Sequence, residues 1–302
     1  MKHERYVAWC LTTPWALMPE RIAAYAAVLA RRAGDGIAAM DQEDEARAAA
    51  GPRTQRGSPA RTGGIAVIPV HGTIVQRASQ LDICEGGTST QAVSNALADA
   101  MADDSIAQVL LDIDSPGGSV YGVQELASEI SRAKKPVVAI ANSLAASAAY
   151  WIGSAASEFY VTPGGEVGSI GVWTAHQDIS SALDAAGVKT TLISAGEFKV
   201  EGNPFQPLGE QAQSFMQSRV DDYYGAFTRA VARGRKVPVE QVRNGMGKGR
   251  VLGADQAAQE SMIDGIATFE EVVARMQRNM KASAPPRASR LARAQRDLAI
   301  LG

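Results

Sequence analysis

The sequence predicts an α/β protein built on a largely parallel sheet with covering helices. Three observations carry this. Strand-type apolar runs recur near residues 65–70, 107–114, 137–141, 158–162 and 189–194. Helical patterns fall between them, near 89–102, 119–133, 145–156 and 177–186, and strands alternating with helices argue for parallel strands joined by crossovers. Two of the strand ends run into small residues, Asp114-Ser115-Pro116-Gly117-Gly118 and Ala145-Ala146-Ser147-Ala148-Ala149, as strand-to-helix turns do.

Taken in chain order, residues 1–50 read as an N-terminal helical segment. Its helix begins at Met18-Pro19-Glu20-Arg21 and continues through Ile22, Tyr25, Ala26, Leu29 and Arg32 at helical spacing. Trp15 belongs to this segment, and the acidic run Asp41 to Glu45 after it reads as a solvated face. Residues 51–63 are a basic, Gly/Pro-containing linker, residues 64–282 the main domain, and residues 283–302 a basic flexible tail with Arg287, Arg290, Arg293 and Arg296 three apart. Within the domain, the strand Leu110 to Asp114 ends in a Pro-Gly-Gly turn, and a helix follows from Val120 to Ala133. The run Val137 to Ala141 leads to a small-residue stretch opening a helix that extends to about Ser157. Thr190 to Ser194 leads into a glycine-bounded loop that carries Lys199. Long helical patterns then dominate, near 209–234, 254–260 and 268–281. The first is amphipathic through Phe215, Met216, Tyr223, Tyr224, Phe227 and Val231, a core-facing stripe that also suits a subunit interface.

Composition narrows the function classes. With 302 residues, 46% hydrophobic and 21% charged, the chain is an ordinary globular protein of one large domain plus extensions. A net charge of -2 gives no general drive toward nucleic acid, leaving the basic tail as an element suited to an acidic protein surface or nucleic acid. Cys10 and Cys84 are isolated thiols, which fits a reducing compartment better than a disulfide framework. No apolar run reaches membrane-spanning length, and Pro14, Pro19, Glu20 and Arg21 break the N-terminal apolar stretch. A soluble, cytoplasmic protein is therefore expected. Scattered carboxylates and separated histidines lack metal-ligand spacing, so no metal and no cofactor are expected.

Ser147 is the candidate nucleophile. A hydroxyl at a strand-to-helix junction lies where backbone N–H groups converge and negative charge is favoured, which suits a tetrahedral oxyanion. Alone, small residues on a helix signal close packing. The paired glycines at 117–118 add backbone N–H groups that a ligand can approach closely.

Together these segments resemble the S49 peptidases, the signal peptide peptidase A family with its ClpP/crotonase-like fold. The landmarks, in order, are Ile65 to Ile74, Asp114-Ser115-Pro116-Gly117-Gly118, Ala145 to Ile152, Gly168-Ser169-Ile170-Gly171-Val172 and Phe198-Lys199. The resemblance spans roughly residues 64 to 275, with Ala148 and Ala149 where the family usually has glycines. It implies a repeated ββα-type body and a serine endopeptidase with a Ser-Lys dyad. Ser147 then matches the nucleophile, Lys199 the general base and Ser169 a serine that orients the lysine. Backbone N–H groups of Gly117 or Gly118, with Ala148, match the oxyanion hole. None of His3, His71 and His176 lies in a segment matching a triad histidine, and Asp112 and Asp114 read as strand-end caps. A lysine acting as base must be neutral, which calls for an apolar slot. Phe198 and Val200 flank Lys199 suitably, while Glu197 and Glu201 oppose it if they face the amine.

The layout looks like the capsid-maturation proteases of tailed phages within this family, which act inside a procapsid on scaffold and capsid proteins. The alternative is a bacterial cytoplasmic S49 peptidase acting on signal peptides or other peptides. Rivals from other classes are a crotonase-like acyl-CoA enzyme and a non-catalytic scaffold or assembly protein. Both are opposed by the presence of Ser147 and Lys199 together. The family further implies a homo-oligomer in which a neighbour can contribute the lysine.

Overall fold

The computed structural model describes residues 13–18, 60–77 and 87–283. Its strands are β1 (Trp15–Leu17), β2 (Ala60–Thr62), β3 (Ile65–His71), β4 (Thr73–Val75), β5 (Gly87–Ser89), β6 (Gln108–Ser115), β7 (Gly117–Ser119), β8 (Val137–Ala146), β9 (Glu158–Val161), β10 (Glu166–Gly168), β11 (Val251–Gly253) and β12 (Gly265–Ile266). Its α-helices are α1 (Thr90–Ala102), α2 (Val123–Ser131), α3 (Ala148–Ser154), α4 (Ser180–Ala185), α5 (Glu210–Arg235), α6 (Val239–Asn244), α7 (Ala254–Gln259) and α8 (Phe269–Ser283).

The main sheet has β3, β6 and β8 parallel at its centre. All five residues Val137 to Ala141 of β8 are buried, the pattern of a strand covered on both faces. β8 changes partner along its length. Residues 138–141 pair with β9, and residues 144–146 pair with β10. The β6–β8 register shifts between Ile113 and Ser115, so Ser115 comes opposite Ala145. This irregularity sits at the strand ends where the candidate site lies, as bulges often do. Antiparallel edges are added by β2 on β3 and β11 on β10.

Helices cover both faces. On one, α1, α2, α3 and α5 supply Val93, Leu97, Leu126, Ile130, Trp151 and Phe227 to the larger core. The Trp151 and Phe227 rings stack at 4.6 Å and 8°, tying α5 to α3. On the other face, Val272 and Met276 of α8 pack on Ile65, Leu110, Val138, Ile140 and Tyr160. α1 is capped by Ser89, whose Oγ accepts from the Ala92 N–H at 3.1 Å.

A smaller four-stranded sheet, ordered β1-β7-β4-β5, stands over the strand ends. Its tight centre is Gly118. A methyl group there would lie 1.9 Å from the Ile74 carbonyl oxygen.

The α/β class and the largely parallel sheet are as expected, and four local readings change. β8 runs through Ala146, so its helix begins at Ala148 and not at 145. The small residues fill the last positions of a buried strand. Residues 189–194 form no strand. They are exposed, with Ile193 95% accessible, and no strand among the described residues pairs with them. Trp15 lies in a strand instead of a helical segment, buried with Ala16 and Leu17. Ala60–Thr62, assigned to the linker, pairs with β3. The helix expected after Met18, the acidic run, residues 51–59 of the linker, His3, Cys10, Cys84 and the tail from 284 onward lie outside the described residues.

Candidate active site at Ser147

Ser147 stands between the last residue of β8 and the first of α3. Its backbone is held at φ 58°, ψ -118°, a region that a non-glycine residue occupies only when its surroundings over-determine it. Two hydrogen bonds do so. The Ser147 N–H donates to the Gly168 carbonyl at 2.7 Å, and the Trp151 N–H donates to the Ser147 carbonyl at 2.9 Å. The residue is only 1% accessible. Its hydroxyl has a long contact, 3.5 Å, to the Gly171 carbonyl. The sharp reversal from strand to helix thus turns the side chain out of the sheet at the strand ends.

The other predicted residues fall into two groups. Gly117, Gly118, Ala148 and Ser169 surround Ser147. A methyl group at Gly117 would lie 2.9 Å from Ser147 Cβ and from the Ala146 carbonyl oxygen. With φ at +98°, Gly117 also holds a backbone shape that L side chains rarely adopt. Its N–H donates to Ser115 Oγ at 3.1 Å, and Ser115 Oγ donates in turn to the Gly72 carbonyl at 2.6 Å. Ala148 opens α3, whose first-turn N–H groups have no intrahelical acceptor. Ser169 follows the Gly168 carbonyl that anchors Ser147. It too has a positive φ, 53°, and its N–H donates to the Arg250 carbonyl at 2.8 Å.

Lys199 is not with them. Among the described residues no hydrogen bond joins it to Ser147 or Ser169, and its side chain is exposed. The apolar slot expected around it is not formed among the described residues, where Phe198 is exposed. Lys199 rides on an arm spanning residues 172–208 that is closed on itself. The Ile179 N–H donates to the Pro204 carbonyl at 2.9 Å, and His176 Nε2 contacts the Asn203 carbonyl at 3.0 Å.

Sequence reasoning passed over two features. Ser115 links the Pro-Gly-Gly turn to Gly72, and its place in the Asp114-to-Gly118 motif was the available signal. Trp173 pairs with Trp15 through two backbone bonds of 2.8 and 2.9 Å. No local pattern announces that pairing. His71, at the end of β3, contacts Asp112 at 3.3 Å, and Asn142 donates to the same carboxylate at 3.2 Å. The hydrogen bond from Asp112 raises the His71 pKa above its ordinary value, partial burial opposes this, and the charges of Asp112 and Asp114 add to it. Asp112 therefore bonds across to β3 and β8 through side chains, and not as a strand-end cap. Among the described residues no cluster of His, Cys, Asp and Glu could hold a metal ion, and no helix is long and apolar enough to cross a membrane.

The sequence model of Peptidase family S49 matches residues 129–283, and that of Clp protease matches residues 74–167. Over 184 residues the chain is 40% identical to the Capsid assembly protease C of Escherichia phage lambda, covering 60% of this chain and 42% of that protein. It is 41% identical over 181 residues to the Head-tail preconnector protein GP5 of Enterobacteria phage P21, covering 59% and 36%. It is 30% identical over 212 residues to Protease 4 of Haemophilus influenzae, covering 69% and 34%. The chain therefore aligns with less than half the length of each of these relatives.

Proposed function

Because this chain belongs to peptidase family S49, we propose that it is a serine endopeptidase whose nucleophile is Ser147 and whose substrates are proteins of phage head assembly. The observation that carries the chemistry is the strained, buried Ser147 at the junction of β8 and α3, facing Gly117. The names of the phage lambda and P21 relatives carry the substrate class.

In this reading the Ser147 hydroxyl attacks the scissile carbonyl and its proton passes to a lysine amine. The oxyanion is met by the backbone N–H groups of Gly118 and Ala148, since that of Gly117 is held by Ser115 Oγ. Collapse of the tetrahedral intermediate breaks the scissile C–N bond as the lysine ammonium gives its proton to the leaving amine. Water activated by the same lysine then hydrolyses the acyl-enzyme to the acid and free Ser147. Ser169 holds the amine in line. Lys199 is the base, supplied to Ser147 by a neighbouring copy in a homo-oligomer. The exposed apolar side chains of the arm, Val188, Leu192, Ile193, Phe198 and Phe205, support this, because a second copy covering them would also desolvate the amine.

The test is covalent labelling of the full chain by a fluorophosphonate, with the modified residue mapped by mass spectrometry. Modification of Ser147, absent in Ser147→Ala, is the expected result. Labelling elsewhere, or none, rejects the assignment.

A further inference from the structure

The edge of β7 beside Ser147 is covered by the chain's own strand β1. β1 lies antiparallel on β7, with Trp15 opposite Ser119, Ala16 opposite Gly118 and Leu17 opposite Gly117. The Val120 N–H donates to the Pro14 carbonyl at 3.3 Å, and the Met18 N–H donates to the Pro116 carbonyl at 3.2 Å. Hydrogen-bonded pairs alternate along an antiparallel ladder, so Ala16 and Gly118 form the bonded pair between them. The opposite edge of β1 is also taken. Trp15 exchanges both backbone bonds with Trp173, and Trp173 Nε1 donates to the Leu17 carbonyl at 2.9 Å. The strand is thus bonded on both edges, and Thr13, Trp15, Ala16 and Leu17 are buried.

Its position is set by one further distance. A methyl group on Gly117 would lie 2.3 Å from the Ala16 carbonyl oxygen and 2.9 Å from Ser147 Cβ. The Ala16 carbonyl therefore sits beside the serine, on the glycine turn assigned above to the oxyanion. An extended peptide bound for attack by Ser147 needs the same backbone groups of residues 116–120 and Trp173, and cannot use them while β1 is present.

We propose that Thr13–Met18 is an intramolecular occupant of the substrate strand's place, which holds Ser147 in check until an incoming protein strand displaces it. The strand also describes what the cleft accepts. This is an extended segment with a small residue where Ala16 faces Gly118, flanked by large apolar side chains where Trp15 and Leu17 stand. The inference rests on the serine-peptidase reading of the site.

The rate at which a fluorophosphonate phosphonylates Ser147, with loss of fluoride, tests it in the full chain. Trp15→Ala removes the strand's largest buried side chain, and Ala16→Arg places a charge where no space exists. Each is expected to accelerate phosphonylation at least tenfold. A synthetic peptide covering residues 12–19, added in excess, is expected to slow the Trp15→Ala protein again. Circular dichroism and thermal melting identify variants that remain folded. If neither folds, the unaltered chain is phosphonylated with a peptidyl diaryl phosphonate spanning the cleft. The Trp15 and Leu17 amides should then lose protection from hydrogen exchange. Equal phosphonylation rates in the wild type and a folded variant, or unchanged protection after phosphonylation, overturn the inference while leaving Ser147 as nucleophile. Absence of Ser147 phosphonylation in every form overturns the peptidase reading, and the inference with it.

Discussion

At the scale of single residues, the geometry of Ser147 separates chemistry from packing. Its neighbours Ala146, Ala148 and Ala149 are all fully buried, so Ser147→Ala adds no bulk and removes only the oxygen. Peptide hydrolysis should fall by on the order of 10^4-fold or more, with the melting temperature unchanged or raised by relief of solvation demand. A folded variant that keeps most of its activity would reject the nucleophile. Lys199→Arg is expected to be as inactive as Lys199→Ala, since a guanidinium stays protonated near neutral pH. Steady-state rates of both variants on one peptide decide this. His71 offers a check on electrostatics away from the serine. Its pKa is raised in the folded chain by the Asp112 hydrogen bond. The pair therefore stabilises the fold fully below the unfolded histidine value of about 6.5, and this contribution is lost as pH rises through the higher folded value. An NMR titration should place His71 above 6.5, and Asp112→Asn should bring it down. An unmoved titration in the variant would show that Asp112 is not the cause.

At the scale of elements, the site depends on two close approaches. β7 lies between β1 and β4 with no room for a side chain at Gly118, where a methyl group would be 1.9 Å from the Ile74 carbonyl oxygen. Gly118→Ala is expected to cost the upper end of the ~1–3 kcal/mol typical of overpacking and to lower activity with it, read by denaturant melts and hydrolysis rates together. The second approach holds α5 on α3. Phe227 is fully buried and stacked on Trp151. This assigns it to the core, while Tyr223 and Tyr224 are partly buried against that core. Phe227→Ala should therefore cost about 3–5 kcal/mol in urea unfolding without a direct effect on self-association. A shift in sedimentation behaviour without loss of stability would instead place Phe227 at a subunit contact.

At the scale of the molecule, a single chain holds the serine and carries the proposed base on an exposed arm. Ile193, Phe198 and Phe205 present apolar surface there that none of the described residues covers. If assembly brings a neighbour's Lys199 to Ser147, a mixture of inactive Ser147→Ala and inactive Lys199→Ala proteins should recover cleavage after subunit exchange. Exchange shown by mixed-mass species without recovery would place both groups in one subunit. Full activity in a protein that sediments as a monomer would reject the shared site.

Much of this was legible in the sequence because it is local. Alternating apolar runs and helical patterns set the parallel core β3-β6-β8. Small residues at 117–118 and 145–149 marked the two turns that meet, since only such residues allow backbones to approach so closely. Side-chain pattern also marked α5 as a helix with a core-facing stripe, and that stripe packs on α3 through Phe227 and Trp151. What only the tertiary structure decided are the pairings that join distant segments through backbone groups, which every residue carries alike. Trp15–Leu17 reads as the approach to a helix, and it becomes a strand because β7 and Trp173 offer unpaired edges on either side of it. Residues 189–194 show the converse. They have the composition of a strand and remain irregular, because strand-type side chains do not make a strand without a pairing edge, and none of the described strands offers them one.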